Sequence, residues 1–120
     1  MMKRVLIAED DFDLQDILSY AFTKLQFEVR IARDGQEALQ CLTENSTDVL
    51  VLDINMPRVS GLDVLTHIHR HPELQAMKII VVTGSTKASY APQVQYADLV
   101  LTKPVSVRDL TEFAERLMVS

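Results

Sequence analysis

The chain has 120 residues and a mass of 13.6 kDa, enough for one domain and too little for two. Hydrophobic residues at 48% and charged residues at 24% exclude a disordered chain, and seventeen acids against twelve bases leave a net charge of −5 with no basic footprint for nucleic acid. The lone Cys41 excludes an internal disulfide and no apolar run nears the roughly 18 residues of a membrane span, so the expectation is a soluble cytoplasmic domain over residues 1–120.

In chain order, Val5-Leu6-Ile7-Ala8 comes first, a short unbroken apolar run of the kind that forms a strand buried on both faces. Leu14, Ile17, Leu18, Ala21, Phe22 and Leu25 then recur at i, i+3, i+4, i+7 spacing and predict an amphipathic helix. Phe27 to Ala32 alternates, as an edge strand would. Ala38, Leu39 and Leu42 mark a shorter helix behind Asp34-Gly35, and Val49-Leu50-Val51-Leu52 is the next buried strand. Leu62, Leu65 and Ile68 mark a helix after Gly61, followed by the strand runs Ile79-Ile80-Val81-Val82 and Leu99-Val100-Leu101. Between those two runs, Ser85 to Asp98 should hold a crossover helix, although Pro92 interrupts a poor pattern. Val107, Leu110, Phe113, Ala114 and Leu117 form the last helix, opened by the capping-box pattern Ser106-x-x-Asp109. Strand and helix alternate five times. That predicts an α/β fold with a parallel sheet covered by helices on both faces, and the expectation adopted for it is a single doubly wound five-stranded sheet of the flavodoxin-like order 2-1-3-4-5.

The residues at the carboxyl ends of the strands carry the chemistry. Glu9-Asp10-Asp11 follows the first strand, Asp53 and Asn55 the third, Thr83-Gly84-Ser85 the fourth and Thr102-Lys103-Pro104 the fifth. In an open α/β sheet ligands bind where the strand order reverses, here between strands one and three, so Glu9, Asp10 and Asp53 should converge. Three carboxylates in one crevice need a cation to offset their charge, and hard oxygen ligands without His or Cys favour Mg²⁺. An Asp beside such a metal can act as a nucleophile toward phosphorus. Lys103 would supply charge to the phosphoryl oxygens, while the Thr83 hydroxyl and the Gly84 amide would donate hydrogen bonds. The small residue at 84 leaves room for the group. Each piece alone has a commoner reading: macrodipole partners for the acids, a turn residue for Asp53, a solvated charge for Lys103. Their coincidence at one sheet edge is what singles them out.

This constellation resembles the receiver domain of two-component response regulators, of the chemotaxis-receiver type, along essentially the whole chain. The matching motifs are Val5-Leu6-Ile7-Ala8-Glu9-Asp10-Asp11, Asp53-Ile54-Asn55-Met56-Pro57 with Gly61-Leu62, Val82-Thr83-Gly84 and Leu101-Thr102-Lys103-Pro104. The resemblance implies a flavodoxin-like sheet and a phosphorelay switch, a phosphoprotein with Asp53 as phosphoacceptor. It implies Mg²⁺ on the carboxylates of Asp10 and Asp53 and the backbone carbonyl of Asn55, with Glu9 acting largely through water. Thr83 and Lys103 would contact the phosphoryl group, and Lys103–Pro104 would be a cis peptide. The implied donor is a phosphohistidine on a histidine kinase or phosphotransfer protein. The implied output is a downstream protein target or fused output domain, read from the helix 4/strand 5/helix 5 face, with room for a phosphorylation-dependent dimer.

The departures concern that output face. Val100 stands where receivers carry a switch aromatic, Tyr96-Ala97 replaces Gly-Ala, and Val105 replaces a Phe. Tyr90 and Tyr96 are then the rings available to a switch. Three alternatives compete. A degenerate receiver used only for protein binding would explain Val100. A haloacid-dehalogenase-like phosphohydrolase needs a second Asp where Asn55 stands, and a flavin carrier needs a phosphate loop where Glu9-Asp10-Asp11 stands. His67 and His71 share a helix face at i, i+4, but Pro72 follows, and the pair reads as a solvated helix end rather than a metal site. Cys41 reads as inert packing.

Overall fold

Unbroken apolar runs require a second layer on each side of the sheet, and the computed structural model, which describes residues 2–84 and 91–119, supplies both. The strands are β1 (Arg4–Ala8), β2 (Glu28–Ala32), β3 (Val49–Asp53), β4 (Lys78–Thr83) and β5 (Leu99–Thr102). The helices are α1 (Phe12–Lys24), α2 (Gly35–Glu44), α3 (Gly61–His69) and α4 (Val107–Val119), with single 3₁₀ turns at Pro72–Leu74 and Pro92–Tyr96. All strand pairs are parallel and the order is β2-β1-β3-β4-β5, as the sequence predicts.

Side chains alternate between the two faces, and both faces are apolar. Leu6, Leu50, Leu52, Ile79 and Val81 pack under α2 and α3 with Ala38, Leu42, Val64, Leu65 and Ile68. Val5, Ile7, Val49, Val51, Ile80 and Val82 pack under α1 and α4 with Leu18, Phe22, Leu110 and Ala114. Local chemistry starts each helix. Asp11 caps α1 by accepting from the amides of Asp13 and Leu14, Asp34 caps α2 through the Glu37 amide, and Ser60 caps α3 through the Asp63 amide. Ser106 accepts from the Asp109 amide at 3.1 Å, as its motif predicts.

Two expectations need correction. Ile17 is 51% exposed, because α1 turns Gln15, Leu18 and Phe22 to the sheet and leaves Ile17 at the margin of that face. In the described part of the crossover from β4 to β5 the expected helix does not extend over Pro92–Tyr96, which form a 3₁₀ turn; the rest of that expectation falls on residues 85–90, which lie outside the described ones. Pro92 sits at the first position of that turn, where its missing N–H costs nothing, and Val94 is buried in the cluster that also holds Ile68 and Ile79. Among the described residues no helix is long and apolar enough to cross a membrane.

Candidate functional site

Strand register brings the polar residues together. Ala8 pairs with Leu52 and Asp53 with Val82, so Glu9, Asp53 and Thr83 follow at the same sheet edge. Thr83 pairs with Thr102, and the Lys103 amide donates to the Thr83 carbonyl at 2.8 Å, which carries the ladder up to Lys103. The Lys103–Pro104 peptide is cis. By alternation Glu9 and Asp53 point to the face covered by α1 and α4.

Lys103 joins the two acids. Its Nζ lies 3.0 Å from Glu9 Oε1 and 3.4 Å from Asp53 Oδ2, while Glu9 and Asp53 are only 2% and 4% exposed. Asp10, exposed at the rim, completes a group of three carboxylates with one oxygen each within 4.8 Å of the others. Among the described residues this is the one such group of metal-ligand type. Asp11, by contrast, is spent on the α1 cap, so one of the three consecutive acids is structural. Backbone amides hold Glu9 and Asp53 in place: Asp11 N–H donates to Glu9 Oε2 at 3.1 Å and Asn55 N–H to Asp53 Oδ1 at 3.1 Å.

Burial disturbs these groups. Desolvation raises Glu9 to about 7, against the pull of Lys103, and raises Asp53 in the same sense. Lys103 goes up despite its own desolvation, because hydrogen bonding to Glu9 and the charge of Asp53 favour the ammonium. Three carboxylates against one ammonium leave a surplus of negative charge, and every side-chain donor in the set is a hard oxygen. Such a set fits a dication like Mg²⁺ and suits Zn²⁺ poorly.

Residues 5–115 match the family model of the response regulator receiver domain. The chain belongs to this family. Among curated relatives, this receiver is 34% identical over 110 residues to the transcriptional regulatory protein YrkP of Bacillus subtilis, covering 92% of this chain and 47% of YrkP. It is 31% identical over 122 residues to the response regulator receiver protein CpdR of Brucella abortus, covering 99% of each. The receiver thus spans about half the length of YrkP and nearly all of CpdR. Its fold superposes with a TM-score of 0.87 on the response regulator TrrA of Thermotoga maritima in complex with Mg²⁺-BeF, at 28% identity over 97% of this chain and 99% of that one. It is therefore a receiver domain of a two-component response regulator with an acidic pocket of metal-binding composition.

The remaining sequence candidates fall as follows. Gly84 is exposed, and among the described residues a Cβ built there would meet only the Lys103 Cδ, at 4.0 Å. Asn55 is exposed beside the pocket. Val100 is half-buried against the layer under α3. Tyr96 stacks on His69, with centroids 3.9 Å apart and planes 8° from parallel, at the end of the sheet where the strands begin and away from the acids. Tyr90 lies outside the described residues. His67 and His71 stack at 3.9 Å, half-buried rather than solvated, with His71 Nδ1 2.7 Å from the His67 carbonyl oxygen. Burial and the neighbouring His71 lower His67. Burial pushes the Cys41 thiol up, so little thiolate forms there.

Sequence reasoning missed Gln15. It is buried on α1 and donates from Nε2 to the Glu9 carbonyl. The signal was available: Gln15, Leu18 and Phe22 lie at i, i+3, i+7, so a polar residue occupies a core-facing position.

Proposed function

We propose that this domain, taken over residues 1–120, is a cytoplasmic, phosphorylation-controlled signalling switch with Asp53 as its phosphoacceptor. The observation that carries the reading is the buried Asp53 carboxylate, bridged to Glu9 by Lys103 and faced by Asp10. One Asp53 oxygen attacks the phosphorus of a phosphohistidine on a histidine kinase or phosphotransfer protein. The P–N bond breaks, the imidazole keeps the electron pair and takes up a proton, and a mixed anhydride forms on Asp53. Lys103 balances charge on the phosphoryl oxygens, and the Thr83 hydroxyl and Gly84 amide donate to them. Asp10 and Asp53 through their carboxylates, Asn55 through its backbone carbonyl and Glu9 largely through water would hold Mg²⁺, which when bound supplies further positive charge to the same oxygens. Slow attack of water on the anhydride resets the switch, so the domain catalyses only its own transfer and hydrolysis.

The output is a downstream protein or a fused domain, a reading supported by the half-length match to YrkP. Val100 is stiff at χ1 and sweeps little volume, so the response to a phosphoryl–Thr83 contact falls on the 85–98 segment rather than on one ring. The same valine favours a second reading, a degenerate receiver that only binds protein.

Acetyl phosphate with Mg²⁺, borohydride trapping and mass spectrometry separate the two. The expected result is one label, on Asp53, absent from Asp53→Asn. No label supports the degenerate reading, and label that persists in the variant overturns the assignment.

A further inference from the structure

The β1–α1 junction holds a buried amide that phosphotransfer at Asp53 does not use. Gln15 is 4% exposed, on the helix face that also carries Leu18 and Phe22. An apolar side chain would serve packing there equally well, and a buried amide must find partners or cost free energy. Its Nε2 donates to the Glu9 backbone carbonyl.

Glu9 is held by its other polar atoms too. Its N–H donates to the Ala32 carbonyl at 3.0 Å, Oε2 accepts from the Asp11 amide at 3.1 Å, and Oε1 faces Lys103 Nζ at 3.0 Å. The carbonyl that Gln15 takes belongs to the Glu9–Asp10 peptide. The tilt of that one peptide sets the direction of both carboxylates relative to Asp53. Of Glu9 and Asp10, Lys103 contacts only Glu9, whereas a bond to the shared peptide restrains both together.

We propose that Gln15 is a positioning residue for the acidic pocket: its amide pins the Glu9–Asp10 peptide so that three carboxylates converge, and this sets the affinity for Mg²⁺. The inference rests on the phosphotransfer reading, since Mg²⁺ is the ion that reading requires. Groups that orient metal ligands commonly contribute about tenfold or more to affinity.

Calorimetric titration of Mg²⁺ into the purified domain tests this, with Gln15→Met as the variant that keeps length and apolar packing but removes the donor. Gln15→Asn is a second variant, keeping an amide one methylene short of the carbonyl. Both are expected to bind Mg²⁺ about tenfold more weakly than wild type while melting in EDTA within a few degrees of it. Wild-type Mg²⁺ affinity in either folded variant overturns the proposal, as does a lowered melting temperature with unchanged affinity, the mark of a merely structural role. A wild-type domain that binds no Mg²⁺ would instead overturn the phosphotransfer reading itself.

Discussion

Two glycines border the acidic pocket for different reasons. A Cβ on Gly61 would lie 2.5 Å from the Asp53 carbonyl oxygen and 2.6 Å from the Ile54 Cα, both backbone atoms with nowhere to go. The absence of a side chain lets α3 start directly against the end of β3, where the Gly61 amide donates to the Ile54 carbonyl at 2.9 Å. Gly61→Ala should therefore cost about 2 kcal/mol through forced backbone shifts. For Gly84 the nearest contact of a Cβ among the described residues is at 4.0 Å, and its φ is not positive. Gly84→Ala should change stability by less than about 0.5 kcal/mol. Urea unfolding of the pair checks the contrast, and equal losses would contradict it. Gly84 directly follows β4 and Gly61 opens α3 after the loop that follows β3, and the cost of a side chain at each is read from the distances to neighbouring chain.

Among the elements, α2 is tied to the loop after β3 rather than standing alone. Its cap residue Asp34 is buried, accepts from the Glu37 amide at 2.8 Å, and faces Arg58 Nε at 3.7 Å. Arg58, at a φ of 66°, belongs to the loop that also carries Asn55, and Gly35 packs on Val59 of the same loop. Asp34→Ala should cost about 1 kcal/mol through the lost cap. Arg58→Gln should cost less than about 0.5 kcal/mol, because its side chain is 70% exposed and water screens the pair. Denaturant melts of the single and double variants measure both effects; a larger loss from Arg58→Gln would mean that the ion pair, not the cap, anchors the helix. The β4–β5 crossover shows the limit of reading elements from pattern. Val94 and Tyr96 pack against α3 from a 3₁₀ turn, whose short span carries too few residues to show a period.

For the molecule as a whole, the pocket couples stability to pH. Glu9 moves from an ordinary 4.5 to about 7 on folding, through burial, and Asp53 moves upward as well. Between about 4.5 and about 7 these acids then bind more protons in the folded chain than in the unfolded one, so their contribution to metal-free stability falls as pH rises through this window, against a smaller term of opposite sign from the lowered, half-buried His67. The loss from Glu9 is up to roughly 3 kcal/mol. In EDTA the domain should melt higher at pH 5.5 than at pH 7.5, and Glu9→Gln should flatten the difference. Mg²⁺ reverses the sign, because it binds the deprotonated acids. At one hundred times its dissociation constant it should add about 2.7 kcal/mol near neutral pH and much less at acid pH. Calorimetric melts across this range decide the matter; a metal-free domain that gains stability toward pH 7.5 would contradict the burial of these acids.

The sequence alone determined the class and the strand ends at which the acids gather, while the strand order was an expectation that the sheet pairing bears out. Four apolar runs end just before polar residues, and parallel pairing brings Glu9, Asp53, Thr83 and Lys103 to one edge, Thr83 one position and Lys103 two positions beyond the level shared by Glu9 and Asp53. Period and run length report burial on a face, and that information is local. Only the tertiary structure decided which acid caps α1, that Ile17 faces outward, that Tyr96 lies on His69, and that Gln15 holds the Glu9 carbonyl. Those outcomes depend on side-chain partners brought together by packing. The Lys103–Asp53 pair, 50 residues apart in sequence and 3.4 Å apart in space, is the plainest case. No one-dimensional pattern carries a distance, so the chain shows which groups meet at an edge and the fold shows which atoms touch.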